Sequence, residues 1–337
     1  MFVRNYFAAA NGYSGFRSYF RDVFGSNNFK RVYVLKGGPG TGKSTLMKRI
    51  SAESRKNELD YDNIYCSSDP KSLDGVIVHT EKGDYAIIDG TAPHERDAVI
   101  PGAIDVLINL GDNFNNEFLS EHRKEILKHT KAKKDSYINA YTMLKSAGAI
   151  SQRINCILRE NLLSKKAESF AESLLSRIDK KESVRTEIAL MNAFCKDGIC
   201  KAVAYHHPEK SISFSGTLGE QLIILNVISN KSKQTPSVVS YDPLDENLID
   251  GILIGDTLLY ASSDSDVDCI EAKEFIDAAA YKILPALDDL RKMLLGEARR
   301  HFTAASQSHF ALESIYSKSV CFDKNDELCE RIIKEIF

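Results

Sequence analysis

Arg31-Val32-Tyr33-Val34-Leu35-Lys36-Gly37-Gly38-Pro39-Gly40-Thr41-Gly42-Lys43-Ser44-Thr45-Leu46-Met47-Lys48-Arg49-Ile50 is the stretch on which the reading of this chain turns. Arg31 to Leu35 is an apolar, β-branched run that reads as a strand, and Thr45 to Ile50 is compatible with a helix. Between them, Gly37 to Ser44 fits the phosphate-binding P-loop pattern GxxxxGK[ST] in the strand–loop–helix context that pattern needs. Glycines let the backbone bend so that successive N–H groups point inward at an anion. The following helix aims its free N–H groups and positive dipole end at the same place. The expected nucleotide contacts are Gly38, Pro39, Gly40, Thr41, Gly42, Lys43, Ser44 and Thr45. Lys43 would reach the β- and γ-phosphates, and the Ser44 hydroxyl would serve a Mg²⁺ ion. The ligand these residues predict is a nucleoside triphosphate, ATP with Mg²⁺.

The rest of the composition narrows the class. A chain of 337 residues suggests two domains, each long enough to bury a core. The net charge of −3 gives no broad basic field, so nucleic acid is not the expected partner. The seven cysteines are scattered and form no CxxC pair, which reads as reduced structural thiols. Cys195 and Cys200, the closest pair, have no His at a ligand-like spacing, and His206-His207 reads as strand-end surface. Arg4 and Asn5 interrupt the first apolar residues, so no signal-peptide core is read there. No apolar run approaches the roughly 20 residues that span a bilayer. The expectation is a cytoplasmic protein without a membrane partner.

A P-loop also needs an acidic residue at the end of a buried strand. Tyr85 to Ile88 reads as a parallel strand buried on both faces, and Asp89 emerges at its C-terminal edge, where ligands sit in doubly wound sheets. Asp89 is therefore the expected Walker B carboxylate and, with Ser44, the expected metal-side pair. Gly90 follows it where many ATPases carry a Glu that polarises water, so a general base must come from elsewhere. Tyr61 to Cys66 reads as another strand, and Asp69 just beyond its end is the second expected catalytic carboxylate beside Lys43 and Asp89. An Asx-type turn before Pro70 explains Asp69 equally well. Thr91, His94, Glu95 and Arg96 follow in a loop that could face phosphate or substrate.

From about Asn115 to Leu190, Gly and Pro almost vanish and apolar residues recur at helical spacing, as in Ile154, Leu158 and Leu162. Ser146-Ala147-Gly148-Ala149 reads as the turn of a helical hairpin. Its arginines, Arg123, Arg153 and Arg159, read as solvated faces rather than as a lid on the nucleotide. A repeat then appears. Asp69-Pro70 and Leu73-Asp74-Gly75-Val76-Ile77-Val78 are echoed by Asp242-Pro243 and Ile249-Asp250-Gly251-Ile252-Leu253-Ile254. Gly83-Asp84 returns as Gly255-Asp256 before Leu258-Leu259-Tyr260. Leu222 to Leu225 is read as the partner of the P-loop strand, with Val227 to Thr235 as its degenerate, glycine-free loop. From Thr45 to Asp69 is 24 positions and from Thr235 to Asp242 only 7, a shortfall of 17 that matches a missing helix. The second Walker B position is also lost, since that strand runs into Ala261-Ser262-Ser263.

These segments resemble tandem P-loop proteins of Firmicutes, a family of uncharacterised ATPases and putative nucleotide kinases. The resemblance lies in Tyr6-Phe7 to Gly15-Phe16, Val34 to Thr45, Cys66 to Val78, Ile87 to His94 and Pro101 to Asp112. It covers the first half directly and the second through the repeat. It implies ATP binding and a tandem α/β architecture, and it supplies no substrate. Family members carry an intact P-loop in both halves, from which this chain departs.

The resulting fold expectation is α/β, a P-loop NTPase-type parallel sheet in two tandem units with long helical hairpin insertions. Its parts are a nucleotide-binding unit over 1–112, a helical hairpin or bundle over 113–195, a degenerate P-loop-like unit over 196–270 and C-terminal helices over 271–337. The functional expectation is a Mg²⁺-dependent ATPase working as a conformational switch from one N-terminal site. The alternatives are a small-molecule or nucleotide kinase and a non-catalytic ATP-binding regulator or scaffold. The helical segments offer surface for a protein partner or a second copy of the chain.

Overall fold

A computed structural model of the chain describes residues 1–25, 29–179, 183, 185–202, 210–262 and 269–337. His206-His207 lie outside the described residues. The strand β1 (Val3–Phe7) leads into a hairpin, β2 (Ala9–Gly12) and β3 (Gly15–Ser18), and a short helix α1 (Phe20–Phe24). Then come β4 (Phe29–Lys36), α2 (Lys43–Lys56), β5 (Asp60–Tyr65), β6 (Leu73–His79), β7 (Asp84–Asp89) and β8 (Asp105–Asn109). The helices α3 (Asn116–Glu121), α4 (Arg123–Glu160) and α5 (Ser164–Leu175) follow. The remaining strands are β9 (Glu187–Ile188), β10 (Asn192–Cys195), β11 (Gly198–Lys201) and β12 (Lys210–Ser215), then β13 (Val238–Tyr241), β14 (Ile249–Ile254), β15 (Thr257–Ser262) and β16 (Ile270–Glu271). Between β12 and β13 lies α6 (Glu220–Lys231), and α7 (Leu284–Ser317) and α8 (Phe322–Ile336) end the chain.

The class is α/β, but neither large sheet is all-parallel. The first runs β8-β4-β7-β6-β5-β1 and the second β16-β12-β15-β14-β13-β9. In each, the neighbours are parallel, parallel, antiparallel, antiparallel and parallel along that order. The expected parallel sheet fails at β6 and β14 for a simple reason. Only a short turn joins β6 to β7, while a parallel crossover needs about a dozen residues. Both hairpins carry an irregularity at the same place, between Ile64 and Tyr65 and between Ser240 and Tyr241.

The inner faces of the two sheets pack on each other. Val32, Val34, Ile77, Ala86 and Ile88 share a core with Ala189, Val238 and Leu258. The outer faces are covered by helices, and the coverage crosses over. Cys329, Ile332 and Ile336 of α8 join Leu46, Met47 and Ile50 of α2 over Tyr33, Leu35, Val76, Val78 and Ile87. Ala167, Ala171 and Leu174 of α5 join Ile224, Leu225 and Ile228 of α6 over Phe214, Val239, Ile252 and Leu259. Each half thus sends its final helix onto the other half's sheet. Bridges at Phe114–Val320 and Leu162–Ile276 fasten the two crossings.

Three expectations are corrected. No turn interrupts α4 at Ser146–Ala149; the helix runs unbroken from Arg123 to Glu160 and packs along α7 instead. Gly148 serves close packing, since a Cβ there would lie 2.7 Å from Tyr13 Cβ. The hairpin expected inside 113–195 is also cut short, because β9 and β10 fall within that range. Finally, Leu222 to Leu225 is helical, within α6. A four-residue apolar run does not separate a buried strand from a buried helix, and Ile223, Ile224, Leu225 and Ile228 are all buried. The place that β4 holds in the first sheet is held in the second by β12, and Val227 to Thr235 lies beyond the loop that follows it.

Candidate nucleotide site

The loop after β4 bends through three glycines. Gly37, Gly40 and Gly42 have φ of 149°, 72° and 84°, which side-chain-bearing residues rarely adopt. Gly42 caps α2 without any side-chain hydrogen bond, so the first N–H groups of this 14-residue helix point out of its end. Thr41 is buried and its hydroxyl donates to the Gly38 carbonyl at 2.9 Å. Lys43 curls back over the loop, its Nζ donating to the carbonyls of Gly37 at 2.8 Å and Gly38 at 3.0 Å. The same Nζ is 3.7 Å from Asp89 Oδ2. Ser44 Oγ accepts the Leu73 N–H at 3.0 Å.

Asp89 stands where the sequence predicts, at the end of β7 and directly beside β4 through the Leu35–Asp89 pair. Its Oδ1 accepts both the N–H and the hydroxyl of Thr91, at 2.9 and 2.6 Å. Burial pushes the carboxyl above its usual range; Lys43 and the Thr91 hydrogen bonds oppose this and Asp74 adds to it.

Asp74 is the residue the sequence reading passed over. One step beyond the Gly75–Ile88 pair, it comes opposite Asp89 on the neighbouring strand, so the two carboxylates share a face. His94 Nε2 lies 3.0 Å from Asp74 Oδ2, off the hydrogen-bonding direction, and both side chains are buried. The His94 ring stacks on Phe20 with centroids 4.2 Å apart. Ser67 Oγ, Asp74 Oδ2 and His94 Nδ1 are buried and have no hydrogen-bond partner. Asp69 is held in the turn between β5 and β6. Its Oδ1 accepts the Lys71 N–H at 3.3 Å and its carbonyl the Ser72 N–H at 2.8 Å. Arg96 is drawn away toward Asp105 and the Phe24 carbonyl, Glu95 is exposed, and Arg123, Arg153 and Arg159 are exposed along α4.

The helices of the other half close over the loop. Asn325 Nδ2 donates to the Thr41 carbonyl at 2.9 Å. Tyr316 and Phe114 lie beside Gly38, and a Cβ at Gly40 would fall 2.6 Å from the Glu313 carbonyl oxygen. None of these contacts follows from a local motif.

The second half differs at the same positions. After β12 the chain turns through Gly216 and reaches Gly219, which caps α6 in the left-handed region as Gly42 caps α2. The expected loss of the helix and of every glycine is therefore corrected. The residue in the place of Lys43 is Glu220, buried at 1 % exposure, accepting from the Leu218 N–H at 2.8 Å and the Tyr281 hydroxyl at 3.1 Å. Counting from the Gly251–Tyr260 pair, Ala261 stands where Asp89 stands.

No protein-family profile, characterised protein or solved structure matches the chain. Among the described residues, no helix is long and apolar enough to cross a membrane and no cluster of three His, Cys, Asp or Glu side chains suits a metal ion. The Sγ atoms of Cys195 and Cys200 lie 3.0 Å apart, and burial with the neighbouring thiol pushes Cys200 up to about 12, away from thiolate chemistry.

Proposed function

We propose that this chain binds ATP in its N-terminal half and hydrolyses it, with the helical arms reporting the nucleotide's state. The observation that carries the reading is the glycine-bent loop ending on the uncapped N-terminus of α2, with Lys43 3.7 Å from Asp89. Lys43 would exchange the Gly37 and Gly38 carbonyls for phosphate oxygens, and the α2 N–H groups would hold the same phosphates. Ser44 and Asp89 fit Mg²⁺, which keeps several waters and is held through substrate phosphates and one or two protein ligands. Bound there, it would neutralise charge on the β- and γ-phosphates.

We read the two sheets, alike in order and direction, as two copies of one unit, in keeping with the tandem P-loop family the sequence resembles. The second copy lacks the chemistry. Glu220 places a carboxylate where the ammonium of Lys43 would stand, and Ala261 supplies no metal ligand. The seven free thiols accord with a cytoplasmic setting.

A kinase is the second reading. It is favoured by Ser67 Oγ, Asp74 Oδ2 and His94 Nδ1, buried without a hydrogen bond, of which Asp74 faces Asp89, since buried polar groups left without one often await a ligand. Phosphate release from ATP alone, compared with ADP formation in the presence of pooled nucleosides, nucleotides and sugars, separates the two.

The primary test is calorimetric titration with a non-hydrolysable ATP analogue. A charge-assisted contact contributes about 1.5–3 kcal/mol, so Lys43→Ala should weaken binding by about 10- to 100-fold with the fold intact. Near-normal affinity in that variant would end the P-loop reading.

A further inference from the structure

The helix α4 packs along α7 and touches the β2–β3 hairpin. Lys133, Tyr137 and Tyr141 recur every fourth residue and so share one face of it. Tyr141 donates its hydroxyl to Asn11 Oδ1 at 2.8 Å, and Asn11 Nδ2 donates in turn to the Ser67 carbonyl at 3.4 Å, just past β5. That face therefore meets the hairpin beside the end of β5. Lys133, one turn further toward the N-terminus, is linked to the P-loop through α7. Its Nζ is 3.4 Å from His309 Nδ1, and His309 Nε2 is 3.5 Å from Glu313 Oε1. Glu313 is the residue whose backbone abuts Gly40. Burial pushes the Lys133 amine down, Glu313 opposes this, and the charge of Lys43 pushes it down further. The Glu313 carboxylate, held down first by His309, also feels the charges of Lys43 and Lys133, so one ammonium from the loop and one from the arm are directed at the same carboxylate. A phosphate oxygen arriving there would take over the place that the Glu313 carboxylate holds between the two ammonium groups.

The P-loop backbone and the α2 N-terminus wrap the inner phosphates of a nucleotide, and the terminal phosphate lies outermost, toward Lys43 and Asp89. We propose that Lys133 is a ligand of the γ-phosphate, reaching it from α4, so that the helical arms distinguish a nucleoside triphosphate from a diphosphate. The inference rests on the P-loop reading and adds to it the contact through which the arm senses the nucleotide. His309, 3.4 Å from Nζ, is its positioning residue.

The test uses the full chain, freed of nucleotide and supplied with Mg²⁺, titrated with a β,γ-non-hydrolysable ATP analogue and separately with ADP. Lys133→Gln should weaken the analogue tenfold or more and change ADP by less than twofold, while Lys133→Arg keeps most of the discrimination. Lys133→Met, which keeps the apolar stem, repeats the measurement if the Gln variant melts early. Equal weakening of both ligands, or no weakening of either, overturns the assignment of Lys133 and leaves the P-loop reading standing. A wild-type chain that binds neither ligand overturns the P-loop reading, and this inference with it.

Discussion

Phe7 and Leu190 are bonded to each other twice: the N–H of each donates to the carbonyl of the other at 2.9 Å. Phe7 ends β1 and Leu190 follows β9, and these strands occupy the same place in their sheets. A position that pairs with its own counterpart is the mark of a two-fold arrangement. The bridges at Phe114–Val320 and Leu162–Ile276 are exchanged with each other by the same two-fold, since Phe114 stands where Ile276 stands and Leu162 where Val320 stands. The site is not symmetric, and the predictions below turn on that difference.

Asp89→Asn should abolish Mg²⁺-dependent turnover and spare Mg²⁺-free analogue binding within a few-fold. The carboxyl titrates above its ordinary value, so ionising it works against folding. That penalty is absent below the ordinary carboxylate range and grows as pH rises through the folded-state value. Melting of the nucleotide-free variant at pH 7 should therefore match or exceed wild type. A marked drop would mean that the Lys43 contact outweighs burial.

We assign the proton acceptor missing at Gly90 to Asp74, which comes opposite Asp89 on the neighbouring strand, so Asp74→Asn should reduce turnover by about 100-fold, with analogue affinity little changed. Steady-state rates and calorimetry on the same preparation decide it; a variant with wild-type kcat removes Asp74 from the mechanism.

His79 offers a pH signature remote from the site. Burial disfavours its charge, but hydrogen bonds to Asp62 and Asp84 prevail and hold its pKa at about 9. Because the folded value lies above the unfolded one, the stabilisation is full below about pH 6.5 and is lost as pH rises to about 9. With the ring partly exposed, about 1–2 kcal/mol is expected. His79→Ala should lower Tm clearly at pH 6 and hardly at pH 9.5, and a uniform drop would disprove the linkage.

Stoichiometry should be one nucleotide per chain. Analogue at 100 times its Kd should stabilise the fold by about 2.7 kcal/mol. Glu220→Ala should leave that count unchanged while costing about 1–3 kcal/mol, because Leu218 and Tyr281 lose their buried acceptor. A second site of equal affinity, or one that persists in Lys43→Ala, would falsify the one-site assignment.

The loop from Gly37 to Ser44 and the strand end at Asp89 were legible because each is a contiguous pattern whose chemistry is local. The Asp-Gly repeat at Asp74-Gly75 and Asp250-Gly251 was visible too, and it marked a carboxylate the reading left unused. Direction was harder. Nothing in the apolar run of β6 distinguishes a parallel from an antiparallel neighbour; only the short turn ending at Gly83 does. Leu222 to Leu225 misled because burial on every side erases the helical period. Lys133, His309, Glu313 and Asn325 were invisible for another reason: they are brought to the loop or to one another only after three helices from distant stretches have been laid together.

The crossed terminal helices have a consequence for the integrity of the protein. A single nick between α5 and β9 would yield two fragments, each clasping a helix that belongs to the other's sequence. Neither would be a self-sufficient module, since α8 finishes the core over Met47 and Ile50 and α5 the core over Ile224 and Leu225. The cut chain should stay associated and melt as one cooperative body, and fragments made separately should need to be mixed before either acquires a native core.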